Sequence, residues 1–293
     1  MRISNEISSL SKRVGIEKAI EMYAAAGFDC VDYSMFTLRK GDEHPLMADD
    51  YLQTVQNHLQ LAKDCGITFN QAHAPFPGYI TTPKDYLLPP EVYNKMIRPR
   101  VERAIEVAGR LGCDQIVVHP IAFEGERARQ LEWNLTTYRE LGKIARDFGT
   151  RIAIENMWGR SKANTILPNV CSYGEDLAEM YDLLNDPDTF TVCLDLGHSG
   201  LVGDDAGHAI RYLGKRLGAL HVHDNDFITD AHTLPFLGKM DWEDITSALK
   251  EIGYKGDFTL EVDKPISKIP LCCLPSALKY MADVAKSLAS QCE

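Results

Sequence analysis

Phe190-Thr191-Val192-Cys193-Leu194-Asp195 is a short, mostly apolar run that ends in a carboxylate, and it shows the pattern on which the fold depends. Seven more short runs recur along the chain, and longer stretches with helical apolar spacing separate them. Alternating strands and helices predict a parallel sheet, and eight strands predict that it closes into a single (β/α)8 TIM barrel over residues 1–293. The predicted strands are Ile3–Ile7, Cys30–Met35, Thr68–His73, Gln115–His119, Arg151–Glu155, Phe190–Asp195, Ala219–His223 and Phe258–Val262.

Glycines mark the ends of the predicted helices. An open doubly wound sheet also alternates strands and helices, but it normally has five or six strands and a glycine-rich phosphate loop after the first. The segment Ser8-Ser9-Leu10-Ser11 contains no glycine, so we favour the closed barrel. The glycines that precede the next strand as helix stops are Gly27, Gly66, Gly112, Gly149 and Gly253.

Composition narrows the class of protein. Apolar residues make up 45% and charged residues 25% of the chain, as is typical of a soluble globular protein. No window approaches the roughly 18 apolar residues of a membrane span, so we expect a cytoplasmic protein without a membrane partner. The net charge of −11 disfavours a nucleic-acid partner, and the eight cysteines, which form no CxxC pair, are expected to be reduced thiols. The sequence leaves the oligomeric state open, with a homo-oligomer among the outcomes.

Six consecutive predicted strands, the third to the eighth, end in a side chain that can bind a metal ion. The carboxyl ends of the strands meet at one opening of a barrel, so these side chains are expected to face a shared volume. One such residue alone is more often structural or a helix cap, but six at one opening favour a common role. Crowded carboxylates repel one another unless a cation compensates their charge, so we predict a divalent metal ion. The six residues are His73, His119, Glu155, Asp195, His223 and Glu261.

The donor types leave the identity of the ion open. Three carboxylates with one imidazole suit Mn²⁺, Mg²⁺ or Co²⁺, whereas additional imidazoles suit Zn²⁺. His221 and His223 are two residues apart on one strand face, so both can face the barrel interior, although only one need bind metal. Asp224 and Asn225 are expected to turn the chain and to cap the next helix. The further candidate ligands are His73, His119, His198, Asp230 and His232.

These segments resemble the xylose isomerase-like superfamily of TIM barrels, which contains sugar isomerases, sugar epimerases and apurinic-site endonucleases of the endonuclease IV type. The resemblance covers essentially the whole chain. In the epimerase branch it implies one divalent ion held by Glu155, Asp195, His223 and Glu261, with the two glutamates also acting as acid and base. The ion binds a carbonyl and its neighbouring hydroxyl, and a glutamate removes the proton between them to give a metal-stabilised enediolate. The matching segments are Val118-His119-Pro120, Ile154-Glu155-Asn156, Leu194-Asp195-Leu196-Gly197-His198, His221-Val222-His223-Asp224-Asn225-Asp226 and Leu260-Glu261-Val262.

The nuclease branch of the superfamily implies a different site, with three zinc ions and a longer set of ligands. All its ligand types have counterparts in this chain, so the ligand inventory does not choose between the branches. Residues 75–90, which contain no arginine, are a candidate substrate wall and favour a small molecule over a DNA duplex. The counterparts are His73, His119, Glu155, Asp195, His198, His223, Asp230, His232 and Glu261.

Two departures leave the substrate open. The arginine that follows the metal-binding histidine in several ketose epimerases has no equivalent after His223, and their usual Gly-Glu-Gly reads Gly238-Lys239-Met240. Our first hypothesis is a metal-dependent isomerase or epimerase of a small carbohydrate. The alternatives are a zinc-dependent phosphodiesterase acting on abasic DNA, a dehydratase or lyase of a sugar derivative, and a carbohydrate-binding protein without turnover. The predicted substrate contacts are His198, His221, Trp158 and Lys239.

Overall fold

Eight short parallel strands follow one another around the centre of the molecule in chain order. The computed structural model describes residues 1–40, 44–76, 88–161, 163 and 165–293. The strands are β1 (Ile3–Asn5), β2 (Cys30–Ser34), β3 (Thr68–His73), β4 (Gln115–Val118), β5 (Arg151–Glu155), β6 (Phe190–Asp195), β7 (Leu217–His221) and β8 (Phe258–Leu260).

Strand pairing closes the ring. Strands β2 to β7 form one six-stranded sheet, and β1 pairs with β8. Parallel bridges between Glu6 and Asp32 and between Val222 and Leu260 join these two sheets at both edges. The predicted TIM barrel is therefore confirmed, whereas its extent as one domain over residues 1–293 stays a prediction.

Helices cover the outside of the barrel. Gly112 and Gly149 end two of them in the left-handed conformation, with φ of 76° and 70°, as predicted for glycine stops. None of the described helices is both long and apolar enough to cross a membrane. The α-helices are Ser8–Val14, Ile16–Ala26, Tyr51–Asp64, Pro90–Val92, Arg98–Leu111, Arg127–Phe148, Gly174–Leu184, Leu196–Val202, Ala206–Leu213, Trp242–Glu251, Lys264–Lys268 and Leu274–Gln291, with shorter helical turns at Phe36–Lys40, Pro45–Met47, Tyr93–Ile97, Gly214–Arg216 and Leu271–Cys273.

A short hairpin, which the sequence analysis did not predict, follows β5. Its strands, Trp158–Arg160 and Ile166–Pro168, pair antiparallel. Three residues are too few to show a periodic pattern, so nothing in the sequence distinguishes these segments from a loop. The hairpin lies directly after the end of β5, and it places Trp158 beside the open end of the barrel.

The barrel interior explains which side chains reach the open end. Val117, Ala153, Cys193 and Ala219, on four neighbouring strands, form a buried cluster separate from the core between strands and helices. Side chains two residues apart along a strand share a face. Three of these interior residues are therefore followed, two positions later, by another inward side chain at the carboxyl end of the barrel. These side chains are Glu155 on β5, Asp195 on β6 and His221 on β7.

Candidate active site

Four donor side chains meet at the carboxyl end of the barrel. Glu155, Asp195 and His221 are supplied by β5, β6 and β7, and Glu261 follows β8 directly. All four residues are buried, and one oxygen or nitrogen from each lies within 4.8 Å of those of the others. The Nδ1 of His221 lies 2.6 Å from Glu155 Oε1 and 3.6 Å from Glu261 Oε2. We call these four residues the carboxylate group.

The histidine in this group is His221, whereas the predicted ligand set contains His223. In the pairing of β6 with β7, Asp195 lies opposite His221, so His221 occupies the layer of the carboxylates. His223 lies two residues further on, beyond the end of β7. It still contacts the carboxylate group, because its Nε2 lies 3.0 Å from Asp195 Oδ1. Sequence alone could not give the register of the two strands, and the register decides which histidine lies beside Glu155 and Glu261.

A second set of donors, the imidazole group, consists of His198, His223, Asp230 and His232. The rings of His223 and His232 stack with centroids 4.0 Å apart. The Nε2 of His232 lies 3.0 Å from Asp230 Oδ1. Three of the five further candidate ligands, which are His198, Asp230 and His232, thus lie together, and His223 joins them to Asp195.

The two remaining candidate ligands, His73 and His119, lie on the other side of Glu155. His119 Nε2 is 2.7 Å and His73 Nε2 is 3.3 Å from Glu155 Oε2. Glu155 is therefore shared, because its Oε1 contacts His221 while its Oε2 contacts His73 and His119. His73, Glu155 and His221 thus form a third set of donors that can hold a metal ion.

The two glutamates of the carboxylate group have pKa values shifted in opposite directions. Burial alone would raise the pKa of Glu155, but the imidazoles of His221 and His119 outweigh it and hold this pKa well below the usual range. Burial raises the pKa of Glu261 well above the usual range, and Asp195 and Glu155 add to this effect against the opposing imidazoles of His221 and His232. Without a cation, the surroundings therefore favour the ionised form of Glu155 and the protonated form of Glu261.

The arrangement fits divalent metal ions. The Nδ1 of His223 is buried and has no hydrogen-bond partner among the described residues. A buried polar atom without a partner is destabilising by about 1–3 kcal/mol, and a cation at this nitrogen would remove that cost. The carboxylate group is rich in oxygen, as Mn²⁺, Mg²⁺ and Co²⁺ prefer, whereas the imidazole group has the nitrogen-rich composition that Zn²⁺ prefers.

The predicted substrate contacts differ in where the structure places them. His221 and His198 lie within the carboxylate and imidazole groups. Trp158, on the hairpin, is half-buried, and its ring centroid lies 6.4 Å from that of His198. Lys239 has an exposed side chain that makes no hydrogen bond or ion pair in the part of the chain that the structure describes. Of the candidate substrate wall at residues 75–90, residues 77–87 lie outside the described part.

Asn156 and Asp224 support the site, and the sequence analysis did not assign these roles. Asn156 accepts a hydrogen bond from Asp195 N at 2.7 Å and donates one to Asp195 O at 2.9 Å, which fixes the end of β6 against β5. The Asp224 carboxylate accepts hydrogen bonds from the Trp242 indole and from three backbone N–H groups. It thereby holds the loop that carries Asp230 and His232, whereas the sequence predicts a turn and a helix cap.

Asp32 is the third residue that the sequence analysis did not identify. It is fully buried on β2, and its Oδ2 lies 3.4 Å from His221 Nε2. The available signal was a charged residue within the apolar run Cys30–Met35. Metal-binding residues were predicted at strand ends, whereas Asp32 lies in the middle of β2.

Comparison with known proteins gives one matching family model and several relatives of low sequence identity. A family model described as xylose isomerase-like TIM barrel matches residues 20–286. A D-psicose 3-epimerase of Ruminiclostridium cellulolyticum is 28% identical over 144 residues, which make up 48% of this chain and 45% of that protein. An uncharacterized protein of Methanocaldococcus jannaschii is 29% identical over 64% of this chain. The chain spans 62% of the length of this second relative.

Solved structures show the same fold at low sequence identity. A D-psicose 3-epimerase determined in the presence of D-fructose has a TM-score of 0.74 at 18% identity, covering 98% of this chain and 99% of its own. The IOLI protein with a binding zinc atom has a TM-score of 0.73 at 18% identity, covering 100% of this chain and 98% of its own. At this identity the likeness shows the fold alone.

Proposed function

The chain belongs to the xylose isomerase-like TIM barrel family, and on that premise we propose that it is a divalent-metal-dependent isomerase or epimerase of a sugar or sugar derivative. The observation that carries the proposal is the pair of glutamates in the carboxylate group. Glu155 and Glu261 face one buried volume and have pKa values shifted in opposite directions. Two carboxyl groups whose surroundings separate their pKa values can act as base and acid in one reaction.

Glu155 and Glu261 would divide the proton transfers between them. Glu155, ionised and contacted by three imidazoles, would accept the proton from the carbon next to a carbonyl. Glu261 would return a proton to the same or the neighbouring carbon. Return to the same carbon from the opposite face gives an epimer, and return to the neighbouring carbon gives an isomer.

The residues that would hold the ion are Glu155, Asp195, Glu261 and one imidazole, from His221 or His223. An ion bound there would polarise the carbonyl and the adjacent hydroxyl, and so would make the hydrogen between them more acidic. His198 and Trp158, whose ring centroids lie 6.4 Å apart, would contact substrate hydroxyls and a sugar face. The burial of the four donors keeps bulk water away from the proton in transit.

Incubation with a sugar panel tests this proposal. Metal-free protein is loaded in parallel with Mn²⁺, Mg²⁺, Co²⁺ or Zn²⁺ and mixed with ketoses, aldoses and keto-glycosides, and the products are identified by NMR. We expect one epimer or isomer pair to interconvert, and the chelated protein to lose this activity. A dehydratase or lyase would share the proton abstraction but would give a product lighter by one water or cleaved. No conversion of any member with any ion would contradict the proposal.

A zinc-dependent phosphodiesterase acting on abasic DNA is the second candidate, and one observation favours it. The structure brings the candidate ligands into three neighbouring sets, two of which share Glu155, and three ions in one site would require three such sets. The net charge of −11 disfavours binding to a polyanion. A duplex with a single abasic site, incubated with zinc-loaded protein beside the sugar panel, separates the two candidates, because only the phosphodiesterase cleaves it.

A further inference from the structure

Asp32 is a buried carboxylate that belongs to none of the three donor sets. Polar side chains of its own strand and of β3 hold it, because Ser34 Oγ donates to Asp32 Oδ1 at 3.0 Å and Gln71 Nε2 donates to Asp32 Oδ2 at 2.8 Å. A charged group removed from water strongly destabilises a protein unless it is paired and hydrogen-bonded. A carboxylate retained here, with two side-chain donors fixing its orientation, therefore calls for a role.

The Oδ2 oxygen of Asp32 also faces the ring of His221. Oδ2 of Asp32 lies 3.4 Å from His221 Nε2, while the opposite ring nitrogen, Nδ1, lies 2.6 Å from Glu155 Oε1. The ring also stacks on His73, with centroids 5.3 Å apart and an interplanar angle of 12°. His221 thus spans the barrel interior from β2 to β5, with one carboxylate at each ring nitrogen.

We propose that Asp32 is a positioning residue, which acts through His221 to fix the orientation of the Glu155 carboxylate. The inference rests on the proposed function in one respect, since it is there that Glu155 accepts a proton. Without Asp32, His221 Nε2 would lose this carboxylate contact, and the His221 ring could turn about its Cβ–Cγ bond. Glu155 would then lose its 2.6 Å contact at Oε1 and would reorient toward His73 and His119.

The arrangement also bears on which histidine is available to a cation. Both ring nitrogens of His221 face carboxylates, Nδ1 at 2.6 Å from Glu155 and Nε2 at 3.4 Å from Asp32 without a hydrogen bond, whereas His223 has its carboxylate contact at Nε2 and no hydrogen-bond partner at Nδ1 among the described residues. Loss of Asp32 should therefore change proton transfer by Glu155 more than it changes metal affinity. This separation distinguishes positioning of Glu155 from general support of the metal site.

The substitution Asp32→Asn keeps the size of the side chain and removes its charge. We expect kcat to fall by about 10–100-fold, as is typical for residues that orient a reacting group, with KM and metal affinity changed by less than about threefold. Glu6→Gln is the matched control, because Glu6 is an equally buried carboxylate on the neighbouring strand end that accepts hydrogen bonds from Ser8 N and Ser9 N. This control is expected to lower stability and to leave kcat within about threefold.

A double-mutant cycle tests whether Asp32 acts through His221. If it does, Asp32→Asn combined with His221→Gln is no slower than His221→Gln alone. Effects that multiply, or a kcat unchanged in Asp32→Asn, would overturn the inference. Should Asp32→Asn fail to fold, Gln71→Leu removes the donor to Asp32 Oδ2 and is expected to lower kcat in the same direction by a smaller factor.

A spectroscopic measurement keeps the inference independent of the substrate. In ¹⁵N-labelled, metal-free protein, the ring N–H signal assigned to His221 by its loss in His221→Gln should shift in Asp32→Asn and stay in place in Glu6→Gln. An unchanged His221 signal in Asp32→Asn would contradict the inference even if no sugar is turned over. Conversely, a shifted signal in a protein inactive on every sugar would contradict only the proposed function.

Discussion

The carboxylate group and the imidazole group lie side by side, but different parts of the fold create them. Glu155, Asp195 and His221 belong to barrel strands, and Glu261 follows one directly, so strand register sets their positions. In the imidazole group, His198 lies on the helix Leu196–Val202, and the other three residues follow the end of β7. The first group is thus part of the rigid scaffold, whereas the second depends on the conformation of a loop.

The two groups also differ in charge and in the metal chemistry that they suit. The carboxylate group has three acids and one histidine, whereas the imidazole group has three histidines and one acid. They meet at the contact of Asp195 with His223. Rigid, oxygen-rich donors suit proton abstraction assisted by a hard ion, and the neighbouring nitrogen-rich set provides a place for a second, softer ion. We therefore propose that the first group carries out the proton transfer and that the second group supports it.

Removal of the Glu155 carboxylate should lower turnover more than any other substitution considered. Glu155→Gln cannot accept a proton and no longer attracts His73, His119 and His221, so we expect turnover to fall by about 10³-fold or more. The matched control is Glu140→Gln, a half-buried glutamate paired with Arg98, which should keep turnover unchanged. Steady-state assays on the substrate from the sugar panel provide the measurement. A Glu155→Gln variant with at least a tenth of normal turnover would refute the role of Glu155 as base.

Displacement of His223 should weaken the link between the two groups. A Cβ atom added at Gly197 would lie 2.0 Å from His223 Cε1, so Gly197→Ala forces this ring to move. We expect metal affinity to fall by about 10–100-fold, measured by calorimetric titration of metal-free protein. Gly159→Ala is the control, because its added Cβ would meet its nearest neighbour, Leu167 O, at an ordinary 3.5 Å. Equal affinities for both variants would show that His223 is not needed for metal binding.

Removal of Asp230, the single acid in the imidazole group, should lower the number of bound ions more than it lowers turnover. Asp230→Asn is expected to reduce the zinc bound at saturation by one ion per chain, counted by elemental analysis of dialysed protein. Turnover should fall by no more than about tenfold, because the carboxylate group is intact. If Asp230→Asn is instead as inactive as Glu155→Gln, the imidazole group takes part in the chemistry and the assignment of roles is wrong.

The smallest expected effect concerns the loop that carries the imidazole group. Trp242→Phe removes the indole N–H that donates to Asp224 Oδ2 at 2.9 Å. We expect the free energy of unfolding to fall by about 1–2 kcal/mol, as for a buried acceptor that loses one of several donors. Urea denaturation provides the measurement. A stability equal to that of the unsubstituted chain would show that the Asp224 contacts do not support the loop.

The barrel could be predicted from sequence because each strand is a local pattern. Phe190–Asp195 has the predicted bounds in the structure, as do Thr68–His73 and Arg151–Glu155. The polar residues at the strand ends were likewise visible, and the structure brings them together. The side chains that share a strand face, and the strand ends that meet at the barrel opening, can both be predicted from the pattern of a single sequence.

The rest of the site depends on pairing between distant segments. The choice between His221 and His223 follows from the register of β6 against β7, which no local pattern encodes. Asp32 contacts His221 only because β2 faces β7 across the barrel. The supporting role of Asp224 depends on Trp242, which lies beyond the intervening loop.

Exchange of solvent deuterium into substrate tests the central claim, proton abstraction by the carboxylate group, most directly. Metal-loaded protein is incubated with the sugar panel in deuterium oxide, and the deuterated position is found by NMR. We expect deuterium at a single carbon next to the carbonyl, a rate reduced by about 10³-fold in Glu155→Gln, and a rate within about tenfold of normal in Asp230→Asn. Interconversion of sugars without deuterium at that carbon, or no exchange in any sugar, would contradict the account.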